Sequence, residues 1–245
     1  MLSPWPYPFW IAHRGAGQLA PENTLAAFRL GAAHGYRMFE CDAKLSADGQ
    51  VFLLHDATLD RTTNHSGIAG ALGWSALSQL DAGSWHSPRH AGEPLPDLAS
   101  LAKWCMASGA LLNIEIKPTP GTELQTGERV AQEAARLWAG QAVAPLLTSF
   151  APEALRAARM AAPQLPRGLL LDALREGWLE EAKALGCVAV VCQHSLWNAH
   201  TVGQVQASGM RCLSYTVNDP ADVHRLQALG TDGIITDRVD LFRPN

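Results

Sequence analysis

Acids, bases and cations are concentrated in four short stretches of this chain: His13-Arg14, Glu40-x-Asp42, His55-Asp56 and Glu115-x-Lys117. Glu40 and Asp42, like Glu115 and Lys117, have the two-residue spacing that puts side chains on one face of a strand. Asp48-Gly49, lying between apolar runs, is the strongest short-range signal for a hairpin. With those two as the central turn residues, Asp42 is expected directly opposite His55, with Cβ atoms about 4.5–5.5 Å apart. Three carboxylates, two histidines and two cations at one mouth are costly to bury unless something neutralises them. A hard divalent cation held by Glu40, Asp42 and Glu115 is the expected solution, and all-oxygen ligation suits Mg2+ or Ca2+. Arg14 and Lys117 then leave a single net positive charge, which suits a singly charged anion such as a phosphodiester. Its hydrolysis needs one group to activate the nucleophile and one to protonate the leaving alkoxide, roles that His13 and His55 can fill.

Each stretch alone has a plainer reading. Glu-x-Asp on a strand is commonly a solvated face, His-Arg-Gly is weakly specific, and Glu115 with Lys117 can be a surface pair of little energetic value. Joint placement on strand ends is what favours chemistry, so the elements that carry these residues matter. Apolar runs at 9–13, 36–46, 51–55, 111–116, 145–150, 168–172, 187–192, 211–217 and 233–236 read as strands. Helical patterns fall at 97–108, 123–139, 152–162, 176–185, 198–208 and 219–229, with an earlier helix from Thr24 to about His34 behind an Asn23 N-cap. The run at 51–55 follows the second strand too closely for a parallel crossover, so it is an antiparallel return strand. Eight strands alternating with helices point to an α/β fold, a (β/α)8 TIM barrel, whose reactive groups sit at the C-terminal strand ends. A doubly wound open sheet is the alternative, weakened because no glycine-rich dinucleotide turn follows the first strand. Residues 57–95 break the pattern, with a short helix only near 74–81, and are expected to form an insertion over one barrel mouth. The whole of residues 1–245 then reads as one barrel domain.

The 245 residues are 47% hydrophobic and 17% charged, with a net charge of −4, which excludes a disordered chain and gives no footprint for nucleic acid. No run reaches the ~20 apolar residues of a membrane span, and Met1 to Trp10 carries no Lys or Arg, so no secretory signal is expected there. Five cysteines, Cys41, Cys105, Cys187, Cys192 and Cys212, lie scattered in apolar runs and read as buried reduced thiols of a cytoplasmic protein. Trp5, Trp10 and Trp138 read as packing residues, while Trp74 and Trp85 can anchor the insertion or line a pocket.

Several motifs, in order over nearly the whole chain, resemble the glycerophosphodiester phosphodiesterase family, in its cytosolic bacterial form. They are His13-Arg14-Gly15, Pro21-Glu22-Asn23-Thr24, Glu40-x-Asp42, Asp48-Gly49, His55-Asp56 through Leu59-Asp60-Arg61-Thr62-Thr63, Glu115-Ile116-Lys117, Tyr215-Thr216-Val217-Asn218 and Asp232-Gly233-Ile234-Ile235-Thr236-Asp237. The resemblance implies a TIM barrel with a small insertion and a metal held at Glu40, Asp42 and Glu115. It also implies a histidine pair at His13 and His55, and phosphate-facing Arg14 and Lys117. It implies hydrolysis of glycerophosphodiesters such as glycerophosphocholine and glycerophosphoethanolamine to sn-glycerol 3-phosphate and an alcohol. Tyr215 stands where many relatives carry Trp and is expected to contact the substrate. A barrel phosphodiesterase acting on lysophospholipids and a non-catalytic barrel that binds a phosphorylated metabolite are the competing readings. The first lacks a docking segment beyond Trp5, Phe9 and Trp10, and the second has no use for an acid–base pair.

Overall fold

The apolar runs become strands covered on both sides, which is why most of them lack polar alternation. The computed structural model of the chain describes residues 5–244. In chain order the strands are β1 (Trp10–Ala12), β2 (Met38–Leu45), β3 (Val51–Leu53), β4 (Leu111–Ile116), β5 (Leu146–Ser149), β6 (Arg167–Leu171), β7 (Ala189–Gln193), β8 (Arg211–Tyr215) and β9 (Gly233–Thr236). Neighbours pair in parallel except for β3, which returns antiparallel along β2. β1 pairs with β9 on one side, Trp10 opposite Ile234, and with β2 on the other, Ala12 opposite Phe39. The eight parallel strands therefore close into a TIM barrel, and the open doubly wound sheet is excluded. Helices α1 (Leu25–Ala33), α2 (Trp74–Leu77), α3 (Leu98–Ser108), α4 (Glu123–Leu137), α5 (Pro152–Ala161), α6 (Trp178–Ala184), α7 (Ala199–Ala207) and α8 (Pro220–Ala228) follow, and all but α2 ring the barrel.

The barrel interior is layered. Tyr7, Ile11, Met38, Leu146, Leu170 and Leu213 belong to an apolar cluster inside it. On β2 the odd residues Phe39, Cys41 and Ala43 face the helices, while Glu40, Asp42 and Lys44 alternate inward above Met38. This strand thus carries a buried polar row above an apolar floor. Trp5 packs edge-on against Tyr7, Trp10 stacks on Phe242 at 5.1 Å, and Trp138 is buried, so all three serve packing. The five cysteines are buried and unpaired. Among the described residues no helix is long and apolar enough to cross a membrane.

Three expectations need correction. The hairpin loop has three residues, Ala47-Asp48-Gly49, because Ser46 N–H donates to the Gln50 carbonyl at 3.0 Å and Gly49 takes φ +80°. That is the three-residue hairpin with a left-handed third residue. Lys44 consequently pairs with Phe52 and Ala43 with Leu53, so Asp42 stands opposite Leu54, whose N–H reaches the Asp42 carbonyl at 3.0 Å. A one-residue slip would turn His55 to the other face, but β3 ends at Leu53, and the chain is free to bring His55 back. The N-cap of α1 is Thr24, not Asn23: Thr24 Oγ1 accepts the Ala27 N–H at 3.3 Å. Thr24→Ala is expected to cost ~1 kcal/mol, read as a fall of about 2–4 °C in a thermal melt. The helix expected at 74–81 stops at Leu77, because the Asp81 backbone is bound on both its N–H and C=O by Asn64.

The insertion leaves after β3 and rejoins at α3. It has a small apolar cluster of its own, including Leu59, Leu77, Ala82 and Leu95, which rests on Phe52 of β3. It also reaches back to the start of the barrel. Glu93 Oε1 accepts the Ala26 N–H at 2.9 Å, and His86 Nε2 lies 3.0 Å from the Gln18 carbonyl.

Candidate active site

Strand register assembles the carboxylates. Asp42 of β2 is the direct partner of Glu115 of β4, and Glu40 shares the inward face two residues before Asp42. One oxygen from each of Glu40, Asp42 and Glu115 lies within 4.8 Å of the others. All three side chains are buried. Asp42 is the most heavily supported: Asn23 Nδ2 donates to its Oδ2 at 2.9 Å, and Arg14 Nε lies 3.3 Å from the same oxygen. Asn23 Oδ1 in turn accepts the Asp42 N–H at 3.0 Å. Glu40 Oε2 accepts the Arg14 backbone N–H at 3.0 Å, and Lys117 Nζ donates to Glu115 Oε1 at 2.6 Å. Arg14 adopts φ +49° and Asn23 φ +58°. Left-handed backbone at a non-glycine residue costs of order 1–3 kcal/mol and persists where the surroundings over-determine it.

Burial, reinforced by the charge of Asp42, pushes the Glu40 and Glu115 carboxyls well above the usual carboxylate range. Burial acts on Asp42 in the same sense, but Arg14, His55 and Lys117 outweigh it and hold Asp42 low. Glu40 Oε1 and Asp42 Oδ1 are buried with no hydrogen-bond partner among the described residues. Converging buried oxygens of this kind fit a hard divalent cation, which would supply the missing partner.

Both histidines are held from behind by carboxylates. His13 Nδ1 lies 2.6 Å from Asp237 Oδ1, and Asp237 is itself fixed by Asn218, whose Nδ2 donates to Oδ2 at 2.9 Å. His55 Nδ1 lies 2.6 Å from Asp56 Oδ1. With Nδ1–H on the carboxylate, each ring leaves Nε2 for proton transfer. His13 Nε2 points toward the carboxylates, 3.9 Å from Glu40 Oε2. Burial lowers the His13 pKa, but Asp237 and Glu40 more than compensate and the balance is upward. For His55 burial wins, aided by Arg14 and Lys117 against Asp42 and Asp56, and its pKa falls.

The expected site residues are thus brought to one mouth, with Tyr215 included. Its hydroxyl donates to the Leu171 carbonyl at 3.0 Å, so it offers the site its ring, edge-on to Phe150. A cavity of about 20 Å³, room for one water, lies between His13, Glu40, Glu115, Phe150 and Tyr215. A larger one of about 340 Å³ opens outside His13 and Arg14, walled by Glu22 and, from the insertion, Arg61, Trp85 and His86. Spacing alone missed the supporting residues. Asp237, Asn218, Asp56, Glu22 and Arg61 fall in the motifs that carry the family resemblance without roles attached, and Asn23 falls there with only the helix-cap role. Lys44, two residues beyond Asp42 on the same inward face of β2, carried the same spacing signal and is also missed: it is buried, donates to the Lys117 carbonyl at 2.9 Å, and burial pushes its pKa down to about 8.

The arrangement can bind a hard cation, seat an anion on Arg14 and Lys117, and move protons at two imidazoles. Comparison with known proteins identifies the family. Residues 13–241 match the model of the glycerophosphoryl diester phosphodiesterase family. YhdW of Bacillus subtilis is 34% identical over 238 residues, covering 95% of each chain. A glycerophosphodiester phosphodiesterase of Caldanaerobacter subterraneus is 33% identical over 234 residues, covering 93% of each. Among solved structures, an Oleispira antarctica phosphodiesterase in complex with the product sn-glycerol-3-phosphate superposes with a TM-score of 0.87 at 32% identity, over 94% of this chain and 93% of that one. Barrel, carboxylate cluster, paired histidines and a match running from His13 to Leu241 lead to one conclusion: the chain belongs to the glycerophosphoryl diester phosphodiesterase family.

Proposed function

We propose that this enzyme hydrolyses small, water-soluble glycerophosphodiesters, such as glycerophosphocholine and glycerophosphoethanolamine, to sn-glycerol 3-phosphate and an alcohol. The observation that carries this reading is the buried Glu40–Asp42–Glu115 cluster, flanked by two histidines that each rest on a carboxylate. Those three carboxylates hold one divalent cation, Mg2+ or Ca2+. When bound, it polarises a phosphoryl oxygen and offsets the charge that builds there. Arg14 and Lys117 hold the phosphodiester anion, and the Tyr215 ring packs against the glycerol carbons. One of His13 and His55 takes a proton from the attacking oxygen, and the other gives one to the departing alkoxide. Barrel and insertion, residues 1–245, work as one catalytic unit. Five free thiols fit a reducing, cytoplasmic setting. The test is release of glycerol 3-phosphate from a panel of diesters, with and without chelator. Release from none of them in the presence of Mg2+ or Ca2+ would overturn the reading.

Substrate size follows from the insertion. Its Trp85 and His86 wall the outer cavity, whose volume of about 340 Å³ is at the small end for ligand pockets. Glycerophosphocholine is therefore expected to be turned over at least tenfold more efficiently than its long-chain lysophospholipid counterpart, compared as kcat/KM below micellar concentration. A preference for the lipid would reassign the enzyme to the lysophospholipid class.

A further inference from the structure

Arg61 takes no direct part in the chemistry described so far, yet it touches both halves of the site. It lies in the insertion, six residues after His55. Its guanidinium grips two carboxylates at once. Nε donates to Asp56 Oδ2 at 2.7 Å and Nη2 to Asp56 Oδ1 at 3.1 Å, while Nη1 and Nη2 donate to Glu22 Oε2 and Oε1 at 2.7 and 2.8 Å. The oxygens it holds are the ones in use elsewhere. Asp56 Oδ1 is the atom that carries His55 Nδ1 at 2.6 Å, and Glu22 Oε1 is the atom that receives Arg14 Nη1 at 2.9 Å. A single planar fork thus sits behind a proton-transfer histidine on one side and a phosphate-binding arginine on the other.

We propose that Arg61 is a positioning residue that sets His55, through Asp56, and Arg14, through Glu22, in one geometry. This rests on the phosphodiesterase reading of the site. The reasoning is electrostatic and geometric. Asp56 and Glu22 both lie against Nη2, so without the guanidinium two carboxylates face each other and repel. Asp56 then moves off and takes the His55 ring with it, and Glu22 loses one of its two anchors and lets Arg14 swing. Lysine cannot replace the fork, because an ammonium is a point charge without the planar, bidentate donor set. The Arg61 side chain is 44% exposed, so the pairs add little to stability. Placement of the two functional residues is their effect.

The test uses the full chain loaded with Mg2+ or Ca2+ and glycerophosphocholine as substrate. Breaking one arm at a time separates the two effects. Asp56→Asn is expected to lower kcat with KM near wild type, and Glu22→Gln to raise KM with kcat near wild type. Arg61→Ala is expected to do both and to cost about 10²-fold in kcat/KM, the usual consequence of a displacement near 1 Å. Arg61→Lys is expected to recover little of that loss. Millimolar methylguanidinium, which fits the open space left by R61A, is expected to raise its turnover at least fivefold and to leave D56N unchanged. Melting temperatures of R61A and R61K within a few degrees of wild type rule out loss of the fold. If R61A fails to fold, R61K with the two single-arm variants decides. The proposal is overturned if the folded Arg61 variants stay within threefold of wild type, or if kcat and KM do not divide between D56N and E22Q. A wild-type enzyme that hydrolyses no diester overturns the phosphodiesterase reading first and this inference with it. An active wild type with indifferent Arg61 variants overturns this inference alone.

Discussion

Alanine at Glu40, Asp42 or Glu115 is expected to abolish divalent-cation binding and to cut hydrolysis by about 10³-fold or more, with the barrel still folded. The size follows from the several kcal/mol that metal charge contributes to a phosphoryl transition state, at 1.36 kcal/mol per tenfold in rate. Removing Glu40 or Glu115 relieves repulsion, and removing Asp42 relieves both of them while Arg14 keeps Glu22 as a partner, so the fold survives. Glu40 and Glu115 are pushed above 4.5, their ordinary value, by burial and by Asp42. The sign of the pH dependence follows. A carboxyl whose folded pKa is raised binds its proton more tightly in the folded state. Its contribution to stability is therefore full below 4.5 and is lost as pH rises through the raised values. The metal-free enzyme is thus expected to melt at lower temperature as pH rises from about 5 toward 8. Added Mg2+ or Ca2+ should raise the melting temperature more at the upper end of that range, and Glu40→Gln should flatten the difference. Calorimetric titration of the ion and melts across pH check both points. Full activity after prolonged incubation with excess EDTA would remove the metal from the mechanism.

The residues in this cluster were legible because a barrel strand imposes a rule on them. On a strand buried on both faces, an inward Glu or Asp is costly, so Glu40, Asp42 and Glu115 stand out against Phe39, Cys41 and Ile114. The barrel was legible for the same reason, since continuous apolar runs alternate with helical periodicity. The hairpin register was not. Asp48-Gly49 fits a two-residue loop and a three-residue loop equally well, because both place Gly49 in the left-handed region. The supporting residues were hidden by distance along the chain. Asp237 meets His13 across 224 positions and Glu22 meets Arg61 across 39, and no spacing rule encodes such pairs. Asparagine before a helix is usually its cap, and Asn23 departs from that rule. Here its side chain is committed to Asp42, and the next residue takes over the cap.

Those supports bear on the remaining large effect. His13→Ala and His55→Ala are each expected to lower turnover of a natural diester by about 10²–10⁴-fold, the usual worth of a positioned proton-transfer group. Binding of substrate should persist, because Arg14, Lys117 and a cation on the carboxylate cluster would remain to hold the phosphate. The two rings come from different strand ends and are anchored on different carboxylates, Asp237 and Asp56. Groups with separate anchors suit the opposed sides of an in-line displacement, one serving the attacking oxygen and the other the departing one. A diester with a nitrophenyl leaving group separates the two roles, since nitrophenolate departs without a proton. The variant that has lost the general acid should regain most of its rate on that substrate, and the variant that has lost the base should stay slow. Asp237→Asn should resemble a milder His13 variant and show the same response to leaving group, because it removes the charge that raises the His13 pKa and leaves the ring in place. Near-wild-type turnover of glycerophosphocholine by either histidine variant would refute the paired mechanism. Equal rescue of both by the nitrophenyl ester would keep the two histidines in catalysis and place both of them on the leaving-group side.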